Sequence, residues 1–308
     1  MKVRPANPAA AGLNRSAAFA SIAVALLLAG MKLWAVMQTG SAAMLGSLAD
    51  TLLDLIASLA TLAGVWVAAQ PDDRNHRFGH DKAEALAAMF QVTLISFSAL
   101  MLALRSVQQF LAHAKTEAAG DGILVSAIAL AATLALLGWQ RHVIAKTNSL
   151  AISTDHLHYK SDLALNLAVI AALALEQFAG FAGADALFGF AIALWLGWNA
   201  WKASQEAITQ LMDQEWPEEK RSQLIEVLAR HPELRGIHDL RTRTAGNRDF
   251  VQFHVWVDPE MTIRQAHIVM DDIELKLHAV FPALEILIHP DPEGHVDTGL
   301  GAKDLLPG

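Results

Sequence analysis

Long apolar runs fill the first two thirds of the chain, and a charged, mixed sequence follows them. Six runs reach the roughly 20 residues that a helix needs to cross a bilayer, at about 14–38, 42–69, 83–112, 121–140, 150–176 and 183–206. The first run is longer than the core of a secretory signal, so we expect it to be retained as a span. The pattern predicts a domain of six transmembrane helices over residues 1–208.

After residue 208 the pattern becomes that of a small soluble domain. The predicted elements are helices over 218–230 and 262–281 and strands over 238–244, 250–258 and 284–289. In the second strand the apolar positions from Val251 to Val257 alternate with polar ones, which should leave His254 on the face opposite the core. The αββαβ order predicts an α+β domain over 209–292, with two helices on one face of a three-stranded sheet. A loose Gly-rich tail is expected over 293–308.

The amino-acid composition limits the class of protein, its binding partners and its metal ligands. Hydrophobic residues make up 54% of the 308 positions and charged residues 18%, which excludes a disordered or collagen-like chain. A net charge of -8 argues against nucleic-acid binding, because contacts to phosphates need clustered Lys and Arg. The chain has no cysteine, so metal chemistry must rest on carboxylates and the 13 histidines. The sequence has no Walker-type Gly-rich loop that would bind a nucleotide, and we expect no organic cofactor.

Basic residues between the runs predict the topology. Arg15 and the basic residues of the 70–82 and 140–149 segments lie on one side of the predicted bundle. The short connections on the other side offer only Lys115. The positive-inside rule then places both termini in the cytoplasm.

Four ionisable side chains interrupt the apolar runs. Asp50 and Asp54 lie in the second run, and His158 and Asp162 lie in the fifth. A charge at bilayer depth costs about 2.5–3.5 kcal/mol on insertion scales, so these groups need compensation. Each pair is spaced i, i+4 and therefore shares one face of its helix. Two facing helices would offer four ligands around one point, the number that Zn²⁺ favours.

The alternative is a polar helix interface or water cavity, with Lys32, Lys160 or Asn166 as partners. Two matched pairs, one of which includes histidine, favour the metal site. Asp155 and His156 should face elsewhere on the helix, and we expect them to have an ordinary solvated role near the cytoplasmic entrance.

A second group of metal-ligating residues lies in the loop after the second run. Asp73, His76 and His80 fall within eight residues and can meet at one cation. The alternative is a solvated turn in which the histidines form ordinary hydrogen bonds.

Three motifs together resemble the cation diffusion facilitator family, in its bacterial ferrous-iron and zinc efflux pump branch. They are the Asp50–Asp54 pair, the 71–84 loop and the His158–Asp162 pair, and the resemblance extends over nearly the whole chain. It implies a homodimer in the bacterial inner membrane that exports Zn²⁺, and also Fe²⁺ or Cd²⁺, in exchange for protons. The implied partners are divalent cations, protons, the lipid bilayer and a second copy of the chain.

The resemblance also implies residue roles. Asp50, Asp54, His158 and Asp162 match the transport site. Because metal binding needs neutral imidazole and ionised carboxylates, protons and metal compete for the same atoms. An imidazole titrates near pH 6.5 in water, which makes His158 the expected proton carrier.

The remaining matches lie on the cytoplasmic side. Asp73, His76 and His80 match a second metal site, and Lys82 with Asp213 matches an ion pair between bundle and tail. In the tail, Asp291 is expected to bridge two metal ions, which would be structural or regulatory. Its partners would be His238 with His254 and His267 with His289. Pro290 stands where this branch commonly has glutamine, which removes any contact from that side chain.

The other histidines are expected to be ordinary exposed residues: His113, His142, His231, His278 and His295. Two further functions stay open at this point. The first is a membrane metallohydrolase, which is disfavoured because the sequence has no H-E-x-x-H motif. The second is a metal sensor, which would bind cations without moving them. The nitrogen and oxygen donors suit Zn²⁺, Fe²⁺, Cd²⁺ or Mn²⁺ and disfavour Cu⁺.

Overall fold

The computed structural model describes residues 8–39, 42–112, 123–179, 183–246 and 248–294. The chain divides between Ile208 and Thr209 into two compact units. The first is helical and the second combines helices with a sheet, so we describe each by itself.

Six long helices form the first unit over the described residues. They are α1 (Pro8–Thr39), α2 (Ala42–Ala68), α3 (Lys82–Ala112), α4 (Ile123–Thr147), α5 (Leu150–Ala179) and α6 (Ala184–Leu211), which extends just past the boundary. By length and composition, four of them contain a stretch fit to cross a membrane: Ala9–Gln38, Ser47–Ala68, Lys82–Leu111 and Ile128–Thr147. With 30 and 28 residues, α5 and α6 are of comparable length.

The polarity of this unit is inverted relative to a soluble bundle. Large apolar side chains such as Phe19, Trp34 and Phe97 are exposed. The buried faces instead hold small residues and polar ones, including Gln91 and Gln140. Lipid favours this arrangement, because apolar side chains can face the acyl chains while polar groups bond to one another inside.

Two local features bring α2 and α5, the helices that carry the predicted ligands, close to a neighbouring helix. A Cβ added at Gly64 of α2 would lie 2.4 Å from the Cβ of Ala87, so α2 and α3 approach closely there. Asn148, with a φ of 49°, ends α4 in the left-handed region, where asparagine is tolerated. Only Asn148 and Ser149 separate α4 from α5, so residues on either side of this turn face each other.

The second unit contains α7 (Glu218–Ala229), β1 (Gly236–Ala245), β2 (Arg248–Val257), α8 (Ile263–Val280) and β3 (Leu284–Pro292). The sheet order is β1-β2-β3, with β1 antiparallel and β3 parallel to β2. Leu224 and Leu228 of α7 join Ile273 and Leu277 of α8 in one core with the inner face of the sheet. Thr262 and Gln265 form a capping box at the start of α8. The predicted fold class, including the αββαβ order, is confirmed.

Candidate metal centres

Over the described residues, three groups of histidine and acidic side chains have ligand atoms within 4.8 Å of one another. The first lies between α2 and α5. His158 Nε2 is 2.9 Å from Asp54 Oδ1 and 3.7 Å from Asp162 Oδ2. The i, i+4 spacing puts His158 and Asp162 on one face of α5, opposite Asp54. One nitrogen and two carboxylate oxygens in this arrangement fit a dication such as Zn²⁺.

Asp50, the fourth predicted ligand, lies outside this group. It is exposed and sits one turn before Asp54 on α2. The adjacent Thr51 is buried, and its hydroxyl accepts a hydrogen bond from Lys32 Nζ at 2.6 Å. Lys32 also donates to the carbonyl of Ser47 at 3.2 Å. Lys32 therefore bonds α1 to the backbone and hydroxyl groups of α2.

The prediction for Asp155 is wrong. This side chain is fully buried rather than solvated. Its Oδ2 accepts hydrogen bonds from Ser21 Oγ at 2.5 Å and Gln140 Nε2 at 2.7 Å, and its Oδ1 accepts one from Gln91 Nε2 at 2.7 Å. The adjacent His156 is half-buried, with Nδ1 3.2 Å from Gln140 Oε1. Contacts from three other helices bury these residues, and the sequence of α5 alone does not contain that information.

The second group lies in the loop between α2 and α3. Asp73 is 3.2 Å from His76 Nδ1 through Oδ1 and 3.4 Å from His80 Nε2 through Oδ2. Asp73 Oδ1 also accepts the backbone N–H groups of His76 and Asn75. These bonds, above all the one from the His76 backbone, lower the pKa of Asp73 to about 2. Asp73 therefore presents an ionised carboxylate to a cation at any physiological pH.

The third group follows from the strand register. His238 pairs with His254 across β1 and β2, and His254 pairs with His289 across β2 and β3. The core occupies the other face of the sheet, so the three imidazoles form a row on the face without helices. A shift in the β1 register follows His238, and Asp239 takes a left-handed φ of 46° there. The shift is a β-bulge, a feature that commonly re-aims neighbouring side chains.

Asp291 lies against this row and is buried. Its Oδ2 is 2.8 Å from His254 Nδ1 and 3.2 Å from His238 Nε2. Its Oδ1 is 3.1 Å from His289 Nε2. The two carboxylate oxygens thus face different histidines. Pro290 lies on β3, at the edge of the sheet, where a residue without an N–H is tolerated.

His267 lies apart from this row in the single chain. It is on α8 with 76% of its side chain exposed, and its imidazole is 3.8 Å from Asp271 of the same helix. Of the five predicted tail ligands, His238, His254, His289 and Asp291 are brought together.

The prediction that His231 is an ordinary exposed residue is also wrong. It is buried, and its Nε2 lies 2.9 Å from Asp272 Oδ2. His278 is half-buried, whereas His142 is exposed and stacks on Trp139. His113 and His295 lie outside the described residues.

Lys82 and Asp213 belong to different units. Lys82 begins α3, and Asp213 accepts a hydrogen bond from Arg243 at 3.2 Å within the second unit. Their predicted ion pair would join the two units, and it stays a prediction.

Both units match family models. Residues 18–212 match the model described as "Cation efflux transmembrane domain", and residues 216–293 match "Cation efflux protein, cytoplasmic domain". The chain is 41% identical to the cation-efflux pump FieF of Serratia proteamaculans, over 95% of this chain and 97% of that protein. It is 42% identical to FieF of Pectobacterium atrosepticum, over 93% and 95% of the two chains. A solved structure of a putative zinc transporter CzrB in its Zn form is 34% identical over 28% of this chain and 98% of that chain, with a TM-score of 0.26.

Proposed function

Because the chain belongs to the cation efflux family, we propose that it exports divalent metal cations from the cytoplasm in exchange for protons. The membership confirms the resemblance in the sequence and makes the chain a membrane transporter rather than an enzyme. The observation that supports the proposal is the group of Asp54, His158 and Asp162 between two membrane helices. The substrates that its nitrogen and oxygen donors suit are Zn²⁺, Fe²⁺ and Cd²⁺.

Exchange follows from the chemistry of these ligands. A dication needs both carboxylates ionised and the imidazole neutral, so bound protons exclude it and it excludes them. We assign Asp50 as the fourth ligand, because it lies one turn from Asp54 and a dication would attract its carboxylate. His158 is the assigned proton carrier. If the site opens alternately to the two sides, metal loaded inside is replaced by protons loaded outside.

The cytoplasmic sites are assigned supporting roles. We place both termini in the cytoplasm, which puts the Asp73, His76 and His80 loop on the side from which metal arrives. The Lys82–Asp213 pair would join the transport domain (1–208) to the cytoplasmic domain (209–292).

We assign the tail cluster to structural or regulatory metal binding in a homodimer. The two oxygens of Asp291 face different histidines, which suits a bridge between two ions. Leu287 is exposed on the same face of β3 as His289, and this apolar side chain beside the cluster supports a face that binds a second copy.

The first test is transport by the purified full-length protein in proteoliposomes with an imposed pH gradient. We expect Zn²⁺ flux coupled to proton counterflow, and we expect Asp54→Ala to abolish it. His142→Ala, which changes an exposed histidine of α4, is the control. Metal binding without flux or proton movement would instead identify a sensor, and flux by Asp54→Ala would contradict the assigned site.

A further inference from the structure

We propose that Asp155 is a positioning residue for the transport site. Its buried hydrogen bonds fix the rotation of α5, and this rotation directs His158 and Asp162 toward Asp54. The inference rests on the proposed function. It adds a residue that is not itself a metal ligand. A fully buried carboxylate is expensive, so Asp155 needs a functional or structural explanation.

The first observation is the origin of the donors. Asp155 accepts hydrogen bonds from Ser21 of α1, Gln91 of α3 and Gln140 of α4, at 2.5 to 2.7 Å. All three side chains are 0% exposed. Three helices thus hold one carboxylate of a fourth, which constrains α5 both along and around its axis.

The second observation is the polarity of the network. Gln91 Oε1 accepts from Thr61 of α2, and Gln140 Oε1 is 3.2 Å from His156 Nδ1. Because both amide oxygens are engaged elsewhere, both amide nitrogens point at Asp155. An acceptor with two oxygens is therefore required at this position. An asparagine would bring an NH₂ group against the NH₂ group of one glutamine.

The third observation links the network to the metal ligands. Asp155 and Tyr159 lie one turn apart, on either side of His158 along α5. The Tyr159 hydroxyl donates to the carbonyl of Ser21 at 3.1 Å and lies 3.1 Å from Ser58 Oγ of α2. The turn that presents His158 is therefore held on both sides. If α5 turned by a few tens of degrees about its axis, His158 would move away from Asp54.

The test measures Zn²⁺ affinity and Zn²⁺ flux in the same full-length proteins. Affinity is measured by competition with a Zn²⁺ indicator, in a background of Asp73→Ala and Asp291→Ala that weakens the other two sites. We expect Asp155→Asn to weaken Zn²⁺ binding at the transport site about tenfold, as for a helix that presents its ligands in the competent rotation only about one tenth of the time. The flux KM should rise more than the maximal rate falls.

The decisive variant is the exchange of Asp155→Asn combined with Gln140→Glu. It restores one carboxylate facing one amide, so the donors and acceptors match again while the charge moves from α5 to α4. We expect recovery to near the wild-type affinity. If this double variant folds but its Zn²⁺ affinity stays low, the positioning role is overturned. The effect of Asp155 would then depend on the location of its charge and not on the matched hydrogen bonds.

Ser21→Ala keeps the inference testable if Asp155→Asn does not fold. It removes one donor, and we expect a roughly threefold loss of affinity, which is about the net contribution of one hydrogen bond. Ser153→Ala, a matched change on α5 outside the network, should have no effect. Unchanged affinity in Asp155→Asn or Ser21→Ala overturns the inference, whereas absence of flux in the wild-type protein overturns only the proposed function.

Discussion

At the scale of single residues, His158 is the proposed ligand that we expect to separate one dication from another. Imidazole nitrogen favours Zn²⁺ over Mn²⁺, whereas a carboxylate oxygen suits both ions. We expect His158→Asp to lower the ratio of Zn²⁺ to Mn²⁺ uptake, measured as initial rates in the same proteoliposomes. The control is His142→Asp on α4, and an unchanged ratio in His158→Asp would argue against His158 as a ligand.

A second residue-scale prediction concerns acid stability. Hydrogen bonds from Lys276 and then His231 lower the pKa of Asp272. A carboxylate with a lower pKa in the folded state stabilises the fold above its unfolded pKa of about 3.9, and this contribution is lost as the pH falls through the folded value. Asp272→Asn should therefore speed amide exchange in α8 at neutral pH, and the difference from wild type should shrink below about pH 4.

Hydrogen–deuterium exchange of the full-length protein checks this, because comparison at equal pH cancels the intrinsic exchange rate. Asp271→Asn is the matched control, since Asp271 is exposed and lies 3.8 Å from His267. An Asp272→Asn difference that stays constant down to pH 3 would contradict the assigned pair.

The residues that sequence reasoning identified and those it missed differ in one physical respect. Asp54, His158 and Asp162 stand out because charge in an apolar run is costly and the i, i+4 spacing gives a shared face. Asp155 and His231 depend on what other elements place against them. The one available signal was the presence of Gln91 and Gln140 in other apolar runs, since buried amides need partners.

At the scale of elements, α2, the helix that carries Asp54, approaches α3 closely at Gly64. The Cβ of an alanine at position 64 would lie 2.4 Å from the Cβ of Ala87 and 3.0 Å from the carbonyl of Ala83. We expect Gly64→Ala to destabilise the bundle by about 1–3 kcal/mol, the usual cost of overpacking. The temperature of thermal unfolding in detergent and the rate of Zn²⁺ flux should both decrease.

Gly138→Ala is the matched control, because a Cβ at this position of α4 meets nothing within 4 Å. It should leave unfolding temperature and flux unchanged or slightly improved, since alanine is the better helix former. Equal behaviour of the two variants would show that α2 and α3 do not pack as described.

The elements themselves were largely predictable, whereas their pairing was not. Alternation from Val251 to Val257 identifies β2 and its buried face. The row of His238, His254 and His289 depends on strand register, which the alternation leaves open. In the membrane unit, hydropathy predicts the helices, but the neighbours of α5 follow from packing that apolar runs do not encode.

At the scale of the whole molecule, the proposed transport and tail sites lie in different compact units. Their functions should therefore separate by mutation. The protein that lacks Asp54 should keep the tail site, and the protein that lacks Asp291 should keep the transport ligands. This independence also distinguishes a transporter with a regulatory domain from a protein with a single shared metal centre.

We expect Asp54→Ala to abolish Zn²⁺ flux while Zn²⁺ still slows amide exchange in β1 and β2, because the tail ligands remain. Asp291→Ala should show the reverse, with flux retained and the Zn²⁺-dependent protection lost. Protection follows from mass action, about 2.7 kcal/mol when Zn²⁺ is present at 100 times its Kd. Exchange and flux are measured on the same full-length preparations, with His142→Ala as the control. Loss of both properties in either variant would show that the two sites are one functional unit.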